Sequence, residues 1–129
     1  MFKLVLEVKS LGNPIIHLEI PVTDLEKAKD WYFKLFRWKV DVMPEMNYAL
    51  FDTGTPPGGG FNKVDGVKAG GCLFYIAVDD IDKKLEEIEK AGGKTVYGKS
   101  EIPQTGWNAI FTDIFGNELG LFTPLKRTG

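Results

Sequence analysis

The sequence predicts an α+β fold built from two βαβββ modules, and three observations predict it. Residues 16–40 reappear faintly as residues 72–96, with Val22/Val78, Asp24/Asp80, Leu25/Ile81, Lys27/Lys83 and Val40/Val96 in register and no gap. Each copy opens on a strand-like run, HLEIPV or LFYIAV, and passes into a segment carrying one apolar stripe at helical spacing. Each then continues through further short strand-like runs separated by turn residues. A repeat present only twice argues for a duplicated supersecondary unit and against a solenoid, which needs about three copies to bury its core. A functional site is therefore expected where the two halves face each other.

The elements follow in order. FKLVLEV alternates, with Phe2, Leu4 and Leu6 on one face, and reads as an accessory edge strand or a dimer element. After the break at Asn13-Pro14, IIHLEIPV reads as a strand with Leu18, Ile20 and Val22 on one face and His17 and Glu19 on the other. Thr23 or Asp24 caps a helix striped by Leu25, Ala28, Tyr32 and Leu35, joined by Trp31 and Phe36. WKVDVM and NYALFDTG form a hairpin with Pro44-Glu45-Met46 at its turn, and TPPGGGF turns into a short glycine-rich strand. This first module covers residues 15–62. The glycine run precedes no helix, so it lacks phosphate-binding geometry and reads as a flexible strand that lets a cleft open.

The second module covers residues 72–124. CLFYIAV is its first strand, with Phe74, Ile76 and Val78 on the core side and Leu73 and Tyr75 opposite. Asp80 caps a helix that buries Ile81, Leu85 and Ile88, and Ala91-Gly92-Gly93 ends it through a left-handed cap. KTVYGKSEI, WNAIFTD and NELGLFTP are the remaining strands, the last two joined by a tight turn at residues 114–117.

Composition narrows the function. The 129 residues suit one domain, 1–129, and 12% aromatic content argues against disorder. A net charge of −2, with no basic cluster beyond Lys126-Arg127, gives no footprint for nucleic acid or an anionic membrane. The apolar runs are strand-length and no signal peptide pattern is present, so a cytoplasmic protein is expected. Cys72 is the single cysteine, which forbids an intrachain disulfide, and it reads as a small buried hydrophobe.

HLEIPVTDLEKAKDWYFKLFRW, FYIAVDDID and TDIFGNELGLF, in this order on a doubled βαβββ unit, resemble the vicinal oxygen chelate superfamily of glyoxalase I, extradiol dioxygenases and bleomycin resistance proteins. GGGF, AGGKTV and IPQTGWNAIFTDIFGNELGLF bring the chain nearer to its glyoxalase-like branch. The resemblance implies modules that curl a mixed sheet around a cleft, in a homodimer. It also implies four metal ligands, one from the first and one from the last strand of each module. Only His17 stands at such a position. Leu73, Gly120 and the run Gly58-Gly59-Gly60 replace the others, and Arg37 stands where the family has a glycine after the first helix.

The expected function is thus the binding of a small organic molecule in the cleft, without the usual metal. The alternative is a lyase, isomerase or dioxygenase-like enzyme that uses His17, with Glu19, on a carbonyl substrate. For that alternative, His17, Glu19 and Glu118 form a shifted set for a divalent metal. An imidazole with an ordinary pKa near 6.5 suits proton transfer, and Glu19 can orient it. Tyr48, Phe51, Tyr75, Trp107 and Phe122 are candidate ligand-binding rings, with Asn108 and Gln104 as amide anchors.

Overall fold

The computed structural model describes residues 12–125, and the chain divides into two compact units, Met1–Phe74 and Tyr75–Gly129. The strand expected for FKLVLEV lies outside the described residues. In the first module β1 (Ile15–Val22) leads to α1 (Leu25–Phe36), β2 (Lys39–Met43), β3 (Tyr48–Asp52) and β4 (Gly58–Lys63). Its strands lie in the order β2-β3-β4-β1, with β1 parallel to β4 and the other pairs antiparallel. The second module repeats this plan with β5 (Leu73–Ala77), α2 (Ile81–Lys90), β6 (Lys94–Ile102), β7 (Gly106–Thr112) and β8 (Glu118–Pro124). Here the order is β6-β7-β8-β5, with β5 parallel to β8. The α+β class and the doubled βαβββ unit expected from the repeat are both present.

Equivalent residues start the two helices. Asp24 and Asp80 take extended backbone angles, and their carboxylates accept from the N–H of Lys27 and Lys83 at 3.0 Å in each case. An aspartate there satisfies one of the orphan donors of the first turn and opposes the helix dipole. The helix ends differ. At α2, Gly92 takes φ +100° and the N–H of Gly93 reaches the carbonyl of Ile88 at 2.9 Å, so glycine supplies the left-handed turn. At α1, Arg37 takes φ 61° itself and its N–H bonds to Phe33 at 2.9 Å, with the guanidinium carbon 5.2 Å from the Phe33 ring centroid.

Each helix covers one face of the strands of its own module. Leu25 and Ala28 of α1 pack with Ala49, Phe51 and Phe61, and Leu18, Ile20, Tyr32 and Trp38 pack around them. In the second module Ile81 and Leu85 of α2 pack with Val78, Ala109, Phe111 and Leu121. Because strand side chains alternate, these contacts leave the other face of each module without a helix among the described residues. Cys72 is exposed rather than buried as expected, since β5 begins only at Leu73 and the thiol sits in the irregular segment before it.

Candidate functional site

His17 and Glu19 alternate with the core residues Leu18 and Ile20 along β1, so both stand on the helix-free face of the first module. Tyr48 of β3 reaches them across β4. Its hydroxyl donates to Glu19 Oε2 at 2.9 Å and lies 2.8 Å from His17 Nε2. With the phenol proton committed to the carboxylate, Oη is the acceptor for His17, which assigns the proton of a neutral imidazole to Nε2. The phenol and imidazole planes lie within 15° of parallel, with centroids 6.4 Å apart. Imidazole, phenol and carboxylate thus form one hydrogen-bonded row.

The reach of Tyr48 depends on a glycine. Gly60 of β4 lies between the two strands, paired with Glu19 on one side and Leu50 on the other. A β-carbon on Gly60 would run into the Tyr48 ring, and one on Gly59 would meet the Leu18 backbone and the Phe51 ring. The glycine run therefore makes room for two aromatic rings, one on each face of the sheet, and this packing replaces the flexible strand expected from sequence. Gly60 was the residue that sequence reasoning missed; a glycine inside a strand signals a close approach of this kind.

Burial tunes both ionisable groups. Loss of hydration lowers the His17 imidazole to about 4, which keeps it neutral near pH 7. The same loss raises the Glu19 carboxyl above its ordinary value, and the hydrogen bond from Tyr48 opposes that rise. Asn62, directly opposite Tyr48 on β4, holds its Oδ1 buried and without a hydrogen-bond donor.

The other candidates separate. Phe51 points to the helix side and is core, stacked on Trp38 at 4.7 Å and tilted against Phe61 at 4.9 Å. Trp107 lies on the helix side of the second module, packed against its core, with Lys99 Nζ 5.1 Å from its ring centroid. Tyr75, Asn108 and Phe122 share the helix-free face of that module. Tyr75 pairs with Gly120, its ring filling the space a β-carbon there would take, and Asn108 pairs with Phe122. Gln104 sits in the β6–β7 turn with φ 64°.

Tyr75 occupies in the second module the register that Glu19 occupies in the first, each beside a glycine of the last strand. Glu118 is exposed at the start of β8, opposite Thr112. Among the described residues no group of three or more His, Cys, Asp and Glu side chains comes together to hold a metal ion. A phenol joins His17 to Glu19, and Leu73, Gly120 and the glycine run of β4 stand where the resemblance implies the other ligands, so these residues do not make a three-donor set.

The family model of the Glyoxalase/Bleomycin resistance protein/Dioxygenase superfamily matches residues 15–121. A glyoxylase-like domain-containing protein of Didymella fabae is 35% identical over 122 residues, covering 88% of this chain and 95% of that protein. Among solved structures, a hypothetical protein of Bacillus halodurans C-125 aligns with TM-score 0.68 and 12% identity, over 92% of this chain and 99% of the other. Methylmalonyl-CoA epimerase from Mycobacterium tuberculosis aligns with TM-score 0.66 and 17% identity, over 87% of this chain and 88% of the other. At these identities the two structures show a shared fold.

Proposed function

Because the chain belongs to the glyoxalase/bleomycin resistance protein/dioxygenase superfamily, we propose that it binds a small organic molecule, held on the helix-free face of the first module by His17, Tyr48 and Glu19. The observation that supports this reading is the row itself: three polar side chains, joined at 2.8 and 2.9 Å, on the face of the sheet opposite α1. A small-molecule site needs a few fixed polar groups in apolar surroundings, and hydrogen bonds within the row fix all three. Tyr75, Asn108 and Phe122 offer an amide and two rings on the equivalent face of the second module. Our reading needs no metal, since it uses the imidazole, phenol and carboxylate directly. No helix among the described residues is long and apolar enough to cross a membrane, and we extend the proposal to a homodimer in the cytoplasm.

A second reading is favoured by one observation, the neutral imidazole beside a phenol that already donates to a carboxylate. Such a row suits a lyase or isomerase that moves a proton on a carbonyl substrate, with Tyr48 passing charge between His17 and Glu19. A thermal-shift screen of small organic molecules against the full chain and His17→Ala tests both. A binder yields hits whose midpoint shift shrinks in the variant, because a ligand that binds only the folded state raises its midpoint. An enzyme yields a turnover that the variant abolishes. Hits that stabilise both proteins equally would refute the placement of the site.

A further inference from the structure

The polar groups of this face are unbalanced toward hydrogen-bond acceptors. Glu19 Oε2 accepts from Tyr48, and no cation pairs with this carboxylate among the described residues, where the one ion pair is Lys84 with Glu87. Buried acceptors and half-buried carboxylates are costly unless a donor meets them. Asn62 Oδ1 is such an acceptor, buried and without a donor, on the same face as Glu19 and two positions beyond Gly60 on β4. Cross-strand pairing brings Asp41 and Asp52 of β2 and β3 to this face as well, against the single ammonium of Lys39 among the described strand residues. His17 adds no positive charge, because burial keeps its imidazole neutral near pH 7.

Building on the reading that this face binds a small molecule, we propose that its ligand carries a cationic nitrogen with N–H donors, an ammonium or amidinium group, which pairs with Glu19 and donates to Asn62 Oδ1. A neutral alcohol satisfies at most one of the two acceptors, and a carboxylate meets a face of its own sign. A cationic donor suits both acceptors, and charge-assisted bonds are the strong ones.

The test is calorimetric titration of the full chain with three probes of one ring size: benzamidinium, benzyl alcohol and benzoate. Benzamidinium is expected to bind at least about tenfold more tightly than benzyl alcohol, from one charge-assisted hydrogen bond. Benzoate is expected to show no heat. Glu19→Gln, which keeps shape and removes charge, should erase the preference for benzamidinium over benzyl alcohol. Asn62→Leu should weaken benzamidinium several-fold. Equal affinity for benzamidinium and benzyl alcohol, or a preference that survives Glu19→Gln, would overturn the cationic class while the small-molecule reading stands. Absence of heat with all three probes at millimolar concentration would count against both.

Discussion

The ring of Tyr48 fills the space in which Gly60 would carry a β-carbon. That contact lets a side chain rooted on β3 cross β4 and reach β1, where its hydroxyl meets Glu19 at 2.9 Å. The candidate site therefore rests on a missing methyl group as much as on its three polar residues.

Gly60→Ala should displace the Tyr48 ring, break its bonds to His17 and Glu19, and cost about 1–3 kcal/mol, the usual range for overpacking. Urea unfolding gives the loss. In the background of Tyr48→Ala the same substitution should be nearly neutral, because the ring it strikes is gone. A double-mutant cycle that shows simple additivity would contradict this coupling.

Stability should fall as pH drops from about 6.5 toward 4. The unfolded chain protonates its histidine near 6.5, whereas His17 resists protonation down to about 4 in the folded state. Its contribution is thus complete above the unfolded value and is lost on acidification. Glu19 carries the opposite sign, since its carboxyl is raised above the ordinary 4.5 and its share is lost as pH rises through that raised value. His17→Gln should flatten the fall between pH 6.5 and 4 in a series of urea midpoints. Parallel profiles for the two proteins would contradict the assignment.

Phe51→Ala and Phe122→Ala should separate core from face. Phe51 is 4% exposed and packed between Trp38 and Phe61, so its truncation should cost about 3–5 kcal/mol. Phe122 is half-buried on the helix-free face of the second module, and its loss should cost clearly less. Thermal and urea denaturation of both variants measure the difference, and equal losses would place Phe122 in a core.

Arg37→Gly should raise stability slightly. Relief of a non-glycine residue at φ 61° gains about 1 kcal/mol, and loss of the guanidinium over Phe33 returns about 0.5 kcal/mol. A small upward shift of the unfolding midpoint is expected, and a drop would show that the Phe33 contact dominates.

Much of the fold was legible because its signals are local. Asp24 and Asp80 announce their helices, Gly92 ends one of them, and period-two alternation separates His17 and Glu19 from Leu18 and Ile20. The candidate site was less legible because its decisive contacts are long-range. Nothing near Tyr48 in the chain shows that its hydroxyl lands between residues of β1, and only the register of Glu19 with Gly60 reveals why. Phe51 and Trp107 show the same limit. An aromatic residue fits a core or a binding face equally well until strand alternation is anchored to a helix, and the contacts with α1 and α2 provide that anchor.

The three tryptophans are divided unequally between the modules. Trp31 and Trp38 belong to the first, one 52% exposed on α1 and the other stacked between Tyr32 and Phe51, while Trp107 belongs to the second. Intrinsic emission is thereby a built-in reporter with separate channels. With Trp107 changed to phenylalanine, fluorescence follows the first module alone; with Trp31 and Trp38 changed, it follows the second. Coincident or separate melting of the duplicated units becomes a matter of which indole is watched.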